Sequence, residues 1–378
     1  MPTLTSLIDL RRSLHEKPEL SGHEHATAAR IAGLLHELHP EAVLTGLGGH
    51  GVLATFSGAA VGPELLFRCE LDALPIVEAN NFAHRSRVEG VSHKCGHDGH
   101  MAIMIGLARS LAAQRPPRGK VHLLFQPAEE TGDGARGVLA DPRFRELRPS
   151  MGFALHNLPA FPLHAAVVRN ALFSAAVCSL ILRFQGRTCH AMEPERGLNP
   201  AFAIAELLLE SSSWNHNVPE DEDFRLVVPV HTRVGVPSQG ISPGDAQLNL
   251  TLRAWTEARL DQLQATVLAA TRRIAIQHGL AFTHESVERF APNLNDAAVT
   301  DRVREAARAA GLPVVEMPAP IKGGEDFGLF TAQFPACLFG LGAGETNPSL
   351  HSADYDFPDA LIDSGVRLFR QIVDRAST

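Results

Sequence analysis

The chain has 378 residues, of which 45% are hydrophobic and 20% charged, a composition typical of a globular protein with an ample core. Its formal net charge of −8 disfavours nucleic acid and anionic membranes as partners, because both need a cationic surface. At about 150 residues per domain, the length predicts two or three domains.

Neither a membrane helix nor a secretion signal is indicated by the sequence. The longest apolar runs, such as AAVCSLIL, are far shorter than the ~20 residues that a membrane helix requires. The stretch MPTLTSLIDLRRSLHEKPEL lacks the basic start and apolar core of a signal peptide. The five cysteines are odd in number and widely spaced, which is unfavourable for a disulfide framework. We therefore expect a cytoplasmic protein, in which a cysteine beside histidines is more often a metal ligand or catalytic group.

Helices and strands alternate in the first part of the chain. Leu7, Leu10 and Leu14 recur at helical spacing in SLIDLRRSLHEKPEL. Short β-rich runs follow at GVLATFSG and ELLFRCELDALP. A helix is predicted for MAIMIGLARSLAAQ, and strands for GKVHLLFQPAEE and MGFALH. This alternation indicates an α/β fold with a mixed, mostly parallel sheet.

From about residue 169 the pattern becomes antiparallel. The runs SAAVCSLILRFQG, DFRLVVPVHTRVG and DAQLNLTLRAW alternate like half-buried strands. Helices are predicted for NPAFAIAELLLESSS, capped by Asn199, and for EARLDQLQATVLAATRRIAIQHG, closed by Gly279. The α/β pattern then resumes with DAAVTDRVREAARAAG, ACLFGLG and PDALIDSGVRLFRQIV. We therefore predict a domain of residues 1–168 and 287–378, interrupted by an inserted α+β domain of residues 169–286.

Metal-type ligands cluster at four places, each at the end of a predicted strand or in the loop after it. The places are HKCGHDGH at 93–100, QPAEE with Glu129 and Glu130, ALHNLP with His156, and PSLHSADYDF with His351. Open α/β sheets carry their active sites at this edge. Each place alone also fits ordinary surface or core residues, but four on one expected edge favour a common site.

Glu129 and Glu130 are expected to have different tasks. Adjacent side chains on an extended backbone point to opposite sides, so one can bind a metal while the other faces the substrate. Metal-assisted hydrolysis needs such a pair, because the metal lowers the pKa of a bound water to about 7 and a carboxylate accepts its proton. That carboxylate can then pass the proton to the leaving nitrogen.

These motifs resemble the zinc aminoacylase and carboxypeptidase family, specifically its hippurate hydrolase and auxin-conjugate (IAA-amino acid) amidohydrolase branch. The resemblance covers nearly the whole chain and rests on LRRSLHEKPELSGHE, CELDALPI, HKCGHDGHM, FQPAEE, ALHNLP, GRTCHAMEPERGLNP, GGEDFGLF and LGAGETNPSLHSADYDF. It implies a metallopeptidase-like catalytic domain with two metal ions, and an inserted lid domain that carries a dimer interface.

The resemblance also implies roles for individual residues. The metal ligands that it implies are Cys95, His97, Glu130, His156 and His351. Cys95 stands where relatives outside this branch have a bridging aspartate, so a bridging thiolate is implied. The two divalent ions would be zinc or manganese, with cobalt or nickel also compatible. Glu129 is implied as the general base and Asp72 as a carboxylate that orients the site. Asp98 is either a further orienting group or the start of the following helix.

Two residues of the inserted domain also have counterparts in the family. His190, in GRTCHAMEP, corresponds to a histidine that reaches the active site, commonly that of the partner subunit, and stabilises the oxyanion. The alternative is an ordinary surface-loop histidine. Arg253, in NLTLRAW, corresponds to an arginine near the substrate carboxylate, and a solvent-facing strand arginine is its alternative.

Three positions depart from the family's pattern. Gly240 stands where relatives have an asparagine that helps to hold the substrate's α-carboxylate, and Glu70 where an aspartate is common. The strand NLTLR replaces a usual Gly-Thr. None of the three is an expected metal ligand, and all lie where the choice of substrate or the orientation of the site is set.

The sequence therefore predicts a metal-dependent amidohydrolase that cleaves N-acyl amino acids of the hippurate or N-acetyl type. We expect a small-molecule substrate and a homodimer or higher homo-oligomer formed through the lid. A dipeptidase or carboxypeptidase of the same family is the alternative. A non-catalytic, metal-stabilised binding protein would have lost Glu129 or a metal ligand, and all of these residues are present.

Overall fold

The computed structural model describes residues 4–377. The helices are α1 Leu4–His15, α2 His25–His36, α3 His97–Ala113, α4 Gly134–Ala140, α5 Pro142–Arg145, α6 Ala201–Ser211, α7 Glu257–Gln277, α8 Ala297–Ala309, α9 Gly328–Thr331 and α10 Leu361–Ala376. The strands are β1 Ala42–Leu47, β2 Gly51–Ser57, β3 Ala60–Glu70, β4 Arg118–Gln126, β5 Met151–Leu158, β6 Ala166–Val168, β7 Ala171–Ser174, β8 Ala176–Gln185, β9 Cys189–His190, β10 Arg225–Val234, β11 Ile241–Ser242, β12 Asp245–Ala254, β13 Ala281–Phe290, β14 Asn293–Asn295, β15 Val314–Glu316 and β16 Ala336–Gly342. Within residues 4–377, no helix has both the length and the apolar character needed to cross a membrane.

The chain divides into two compact units. Among the described residues, the first comprises 4–173 together with 293–318 and 325–377. The second comprises residues 174–292 and 319–324. The predicted insertion spans 169–286, and residues 1–3 and 378 of the predicted catalytic domain lie outside the described residues.

The first unit is built on a mixed sheet with the strand order β1-β2-β4-β3-β5-β16-β6-β15. The central strands β4, β3, β5 and β16 are parallel to one another, and β6 is parallel to β15. The remaining pairs, β1–β2, β2–β4 and β6–β16, are antiparallel. The predicted α/β fold with a mixed, mostly parallel sheet is thus confirmed.

The central strands are rich in apolar residues because they lie in the interior of the unit. Every residue of β16 is buried, and so are the last six residues of β4. The apolar sides of α1, α3, α8 and α10 share one hydrophobic core with these strands. Parallel strands end at a common edge, so the segments that follow β3 and β4, and the end of β5, meet at one edge of the sheet.

The second unit contains an antiparallel sheet with the order β10-β12-β8-β13. Strand β12 alternates strictly, with Ala246, Leu248, Leu250, Leu252 and Ala254 buried and the residues between them only partly buried. This two-residue period gives the strand one apolar face. The helices α6 and α7 pack their apolar residues into the same core.

Candidate metal centre

The predicted metal ligands all lie in the first unit, at the carboxyl edge of the central strands. Cys95 and His97 end the long segment after β3 and begin α3. Glu130 lies four residues after the end of β4, and His156 lies near the end of β5. His351 lies in the segment between β16 and α10. Residues far apart in the chain are thus brought to one place because parallel strands share an edge.

The ligand atoms form two groups that share one thiol. Cys95, His97 and His156 have ligand atoms that all lie within 4.8 Å of one another. Cys95, Glu130 and His351 form a second such group. The Sγ atom of Cys95 is therefore common to both, which is the arrangement that a bridging thiolate requires.

The histidines present their Nε2 atoms to this centre. His97 Nδ1 donates to the main-chain carbonyl of Asp72 at 2.9 Å. His156 Nδ1 donates to the carbonyl of Asn157 at 2.8 Å, and its Nε2 lies 3.4 Å from Cys95 Sγ. A neutral imidazole that donates through Nδ1 keeps the Nε2 lone pair for a metal, and a carbonyl partner fixes this tautomer.

Two buried polar atoms at the centre are available to bind a metal cation. His97 Nε2 and Glu130 Oε1 are buried and have no hydrogen-bond partner among residues 4–377. Buried polar atoms are normally paired, so such atoms point to a missing ligand. Although burial opposes protonation, the contact with Asp72 and the charge of Glu70 raise the pKa of His97 to about 10. The centre is therefore a place that attracts positive charge. Its thiol, imidazole and carboxylate donors suit zinc and related divalent ions.

Glu129 lies beside the ligands and is available for another task. It is 4% exposed, and its Oε1 accepts the Asp326 main-chain N–H at 3.4 Å. Its Oε2 is 4.0 Å from His97 Nε2. Burial, together with the charges of Glu325 and Glu130, raises the pKa of the Glu129 carboxyl well above its usual value. This carboxylate thus borders the centre without belonging to the groups that share Cys95.

Asp72 contacts one residue from each of the two ligand groups. Its Oδ2 accepts the main-chain N–H of Glu130 at 2.9 Å and the hydroxyl of Ser21 at 2.7 Å. Its Oδ1 lies 3.4 Å from His97 Nδ1. Asp72 therefore holds a ligand from each group, His97 through its main-chain carbonyl and Glu130 through its carboxylate, which is the geometry expected of an orienting residue.

The other polar residues of the 93–100 motif serve the scaffold. His100 donates from Nδ1 to Glu70 at 2.6 Å, and its Nε2 accepts the Asn157 main-chain N–H at 3.1 Å. Both ring nitrogens of His100 are thus occupied. Asp98 lies in the first turn of α3 and binds His15 and Arg11, each at 2.8 Å. Of the two alternatives for Asp98, the structure favours the helix start.

The loop before α3 is anchored by an ammonium group that sequence reasoning missed. Lys94 is fully buried and donates to Glu78 at 2.5 Å, Asn80 at 2.6 Å and the carbonyl of Tyr355 at 2.8 Å. Its carbonyl also accepts the main-chain N–H of His351 at 2.8 Å. The residue next to Cys95 is therefore tied to the segment that carries His351.

A second missed group lies behind Glu129. Arg68, Glu325 and Asp326 form a buried ionic cluster with Glu70. The motif GGEDFGLF contributes to the resemblance but suggested no role for its acidic residues. The charged residue inside the run LLFRCE could have indicated this cluster. An unpaired charge is costly in a core, so a buried arginine requires acidic partners.

The residues predicted to contact substrate lie in the second unit. His190, on β9, is exposed, and its Nδ1 accepts the Met192 main-chain N–H at 3.1 Å, so the neutral ring carries its proton on Nε2. Arg253, on β12, is partly buried and donates to the Lys322 carbonyl at 2.6 Å, in contrast to the solvent-facing alternative. Gly240 is exposed, and a Cβ there would meet nothing within 4 Å.

Comparisons with known proteins agree over most of the chain. The model of peptidase family M20/M25/M40 matches residues 66–375. An N-acetyl-L-cysteine deacetylase of Bacillus subtilis (strain 168) is 31% identical over 353 residues, which cover 92% of this chain and 82% of that relative. An N-acetyldiaminopimelate deacetylase of Halalkalibacterium halodurans is 30% identical over 352 residues, covering 92% and 93%.

A solved structure is similar over nearly the whole length. It is a Bacillus subtilis protein described as a dinuclear metal-binding peptidase from the M20 family. The two chains have a TM-score of 0.79 and 27% sequence identity, with 99% of this chain and 98% of the other covered.

Proposed function

Because the chain belongs to peptidase family M20/M25/M40, whose fold holds two metal ions, we propose that it hydrolyses the amide bond of N-acyl amino acids. The enzyme is a metal-dependent amidohydrolase. The observation that carries the proposal is the pair of ligand groups that share Cys95, with Glu129 beside them. In this proposal Cys95, His97, Glu130, His156 and His351 are the metal ligands.

The chemistry follows from the separate positions of Glu129 and the ligands. When bound, the metal ions acidify a water molecule and polarise the substrate carbonyl. Glu129 accepts the proton of the attacking water and donates it to the leaving amine nitrogen. Asp72 keeps His97 and Glu130 oriented throughout. The exposed Nε2–H of His190 is the proposed donor to the oxyanion, and Arg253 the proposed contact of the substrate carboxylate.

We infer an N-acetyl or related N-acyl amino acid as substrate. The deacetylases named above act on N-acetylcysteine and N-acetyldiaminopimelate, and they align with more than nine-tenths of this chain. The finer assignment to the hippurate and auxin-conjugate branch rests on the motif HKCGHDGHM. Gly240 supplies no side chain for an α-carboxylate, so a wider range of acyl amides is part of the proposal. A dipeptidase or carboxypeptidase activity is the alternative.

Zinc or manganese is the proposed metal, with cobalt or nickel as substitutes. A thiolate and three imidazoles favour zinc, whereas a carboxylate ligand also admits manganese. The cytoplasmic location stays a prediction from the cysteine pattern.

A homodimer through the second unit is also proposed. Phe202 and Leu209 lie seven residues apart on α6 and are 67% and 79% exposed. Residues at this spacing share one face of a helix. Strand β10 is an edge of the sheet, and its Val228 and Val230 are also exposed. An apolar helix face beside a free strand edge is a surface suited to another copy of the chain.

The test is the release of free amine from a panel of substrates. N-acetyl, N-benzoyl and indole-acyl amino acids should be hydrolysed by the protein loaded with zinc or manganese, and dipeptides should not. A chelator should abolish the reaction, and added metal should restore it. Turnover of dipeptides alone would favour the alternative. Failure of every amide substrate with full metal content would reject the proposal.

A further inference from the structure

Arg68 lies at the centre of a buried ionic cluster behind the metal centre. Its side chain, on β3, is 0% exposed, and the side chains of its acidic partners are at most 4% exposed. The guanidinium lies 2.9 Å from Glu325 Oε1 and 2.6 Å from Asp326 Oδ1, and it also contacts Glu70. Its Nε donates to Gln126 Oε1 at 3.0 Å. The planar fork of an arginine can bind several carboxylates at once, whereas a lysine ammonium acts as a single point charge.

One arm of the cluster leads to Glu129. Asp326 is held by Arg68, by the Gln126 amide at 2.8 and 2.9 Å, and by the Ala135 N–H at 2.8 Å. The main-chain N–H of Asp326 donates to Glu129 Oε1 at 3.4 Å. Gln126 ends the strand that leads to Glu129. The cluster therefore connects the segment that carries Glu129 to the segment that carries its hydrogen-bond donor.

The other arm leads to the shared thiol. Glu70 contacts Arg68 through Oε1 and accepts the His100 Nδ1–H through Oε2 at 2.6 Å. His100 Nε2 accepts the Asn157 main-chain N–H at 3.1 Å. The amide of Asn157 donates to the carbonyl of Cys95 at 2.7 Å. An unbroken chain of buried contacts thus runs from the guanidinium to the residue common to both ligand groups.

We propose that Arg68 is the positioning residue of this centre, and that its one guanidinium sets the places of Glu129 and Cys95 together. The Glu129 arm rests on the proposed function, whereas the Cys95 arm rests only on metal binding. A side chain that merely neutralised buried carboxylates would be replaceable by any cation. A positioning side chain needs the fork, because only the fork reaches Glu70, Glu325 and Asp326 at the same time.

The first experiment is Arg68→Lys, which keeps the charge and removes the fork. We expect kcat to fall about 10–100-fold with KM near the wild-type value, and zinc affinity of the metal-free protein to fall about 10-fold. Zinc binding is measured by calorimetry and needs no activity. The matched control is Arg304→Lys in α8. Arg304 also binds a carboxylate through two nitrogens, donating to Glu316 at 2.7 and 2.8 Å. The control should keep both kcat and zinc affinity.

The second experiment separates the arms. Asp326→Asn removes the carboxylate charge through which Arg68 holds the segment that donates to Glu129, so kcat should fall while zinc affinity stays at the wild-type value. A wild-type kcat in Asp326→Asn would overturn the proposal. This test remains decisive if Arg68→Lys does not fold. Wild-type kcat together with wild-type zinc affinity in Arg68→Lys would also overturn the proposal. If the wild-type protein hydrolyses no acyl amide, the proposed function fails, and the zinc isotherms of Arg68→Lys still decide the Cys95 arm.

Discussion

Glu129 and Glu130 are neighbours in the chain and differ in what their side chains contact. Glu130 shares a ligand group with Cys95 and His351, whereas Glu129 accepts a main-chain N–H from Asp326. The extended backbone predicted for this pair is not observed: Glu129 and Glu130 lie in a turn after β4, in which the Gly132 N–H donates to the Glu129 carbonyl at 2.8 Å, and the turn sets the different directions of the two side chains. Substitution of each residue should therefore produce a different defect.

Glu129→Gln should retain the metals and lose activity. The amide has nearly the same shape and can still accept the Asp326 N–H, but it cannot accept a proton from water. We expect kcat to fall by about 10²–10⁴-fold, the usual contribution of a general base. Metal content and kcat are measured on the same preparation. Glu130→Gln is the control and should lose bound metal. Full metal content with near wild-type kcat in Glu129→Gln would exclude the role.

At the scale of elements, the start of α3 places two of the proposed ligands within three residues. Gly96 lies between Cys95 and His97 with a φ of 91°, a conformation that other residues rarely adopt. A Cβ at this position would lie 2.5 Å from the Asn157 amide nitrogen. That amide holds the Cys95 carbonyl, so a side chain at Gly96 would disturb the shared ligand.

Gly96→Ala should therefore lower both stability and metal content. The left-handed backbone alone costs about 1–2 kcal/mol for a residue with a Cβ. Gly90→Ala is a matched control, because Gly90 has a φ of 75° and a Cβ there meets nothing within 4 Å. Urea unfolding and metal analysis compare the two. We expect the control to show only the backbone cost and full metal content, and equal losses in both variants would contradict the contact with Asn157.

Helix α1 is joined to α3 through His15. Its Nδ1 lies 2.8 Å from the Asp98 carboxylate and its Nε2 lies 2.9 Å from that of Glu78, so both ring nitrogens face carboxylates, an arrangement that favours the protonated ring. Burial opposes this charge, but the charge of Asp98 and the hydrogen bonds to Asp98 and Glu78 raise the pKa of His15 above its ordinary value. The raised pKa means that the folded state binds this proton more tightly than the unfolded state does.

The contribution of His15 to stability should disappear as the pH rises. It is fully present below the unfolded pKa of about 6.5 and is lost as the pH passes through the higher pKa of the folded state. His15→Gln should lower the free energy of unfolding by about 1.5–3 kcal/mol at low pH, a typical value for charged hydrogen bonds, and by less at high pH. Urea unfolding of the metal-free protein from pH 6 to 9 measures the difference.

His122 offers a control of opposite sign. It is buried beside Thr55 and Glu64, and burial lowers its pKa. A group whose pKa is lowered by folding stabilises the folded state above about pH 6.5. This contribution is lost as the pH falls through the pKa of the folded state. The stability difference between wild type and His122→Gln should therefore grow as the pH rises toward about 6.5 and stay constant above that pH. A difference for His15→Gln that also grew with pH would contradict the protonated ring.

For the whole molecule, the proposed dimer and the proposed role of His190 can be tested together. If His190 serves the partner's metals, His190→Ala and Glu129→Gln homodimers are each nearly inactive for different reasons. A mixed dimer then has one site with both defects and one site with neither. Mixing the two proteins under exchange should restore activity, up to half per mixed dimer. Loss of one oxyanion donor costs about 10²–10³ in kcat, so the recovery is readily measured.

The control for this experiment removes the dimer. Phe202→Glu together with Leu209→Glu places charges on the exposed face of α6 and should give a monomer by analytical ultracentrifugation. The same pair of substitutions should abolish the recovery. Absence of recovery in the unaltered background, with exchange confirmed by mass spectrometry, would show that His190 acts within its own chain or not at all.

The sequence alone determined the α/β class and the residues that meet at the sheet edge. Strand β16 coincides with the predicted ACLFGLG, because a short apolar run bounded by Pro335 is a strong signal for a buried strand. Helix α2 and strands β1 and β13 were not predicted. Strand β13 is mostly exposed and polar, and half of the residues of β1 are exposed, so neither shows the alternation from which strands are recognised.

Only the tertiary structure decided how the centre is held. The 93–100 motif contains three histidines, and the sequence cannot tell that both nitrogens of His100 are occupied while Nε2 of His97 is not. Arg68 contacts Glu70 two residues away, but Glu325 and Asp326 lie 257 and 258 residues further along the chain. Local patterns record which side chains are apolar and which can bind metal. The partner of a buried charge is set by which distant segments the fold brings together, and no local pattern contains that information.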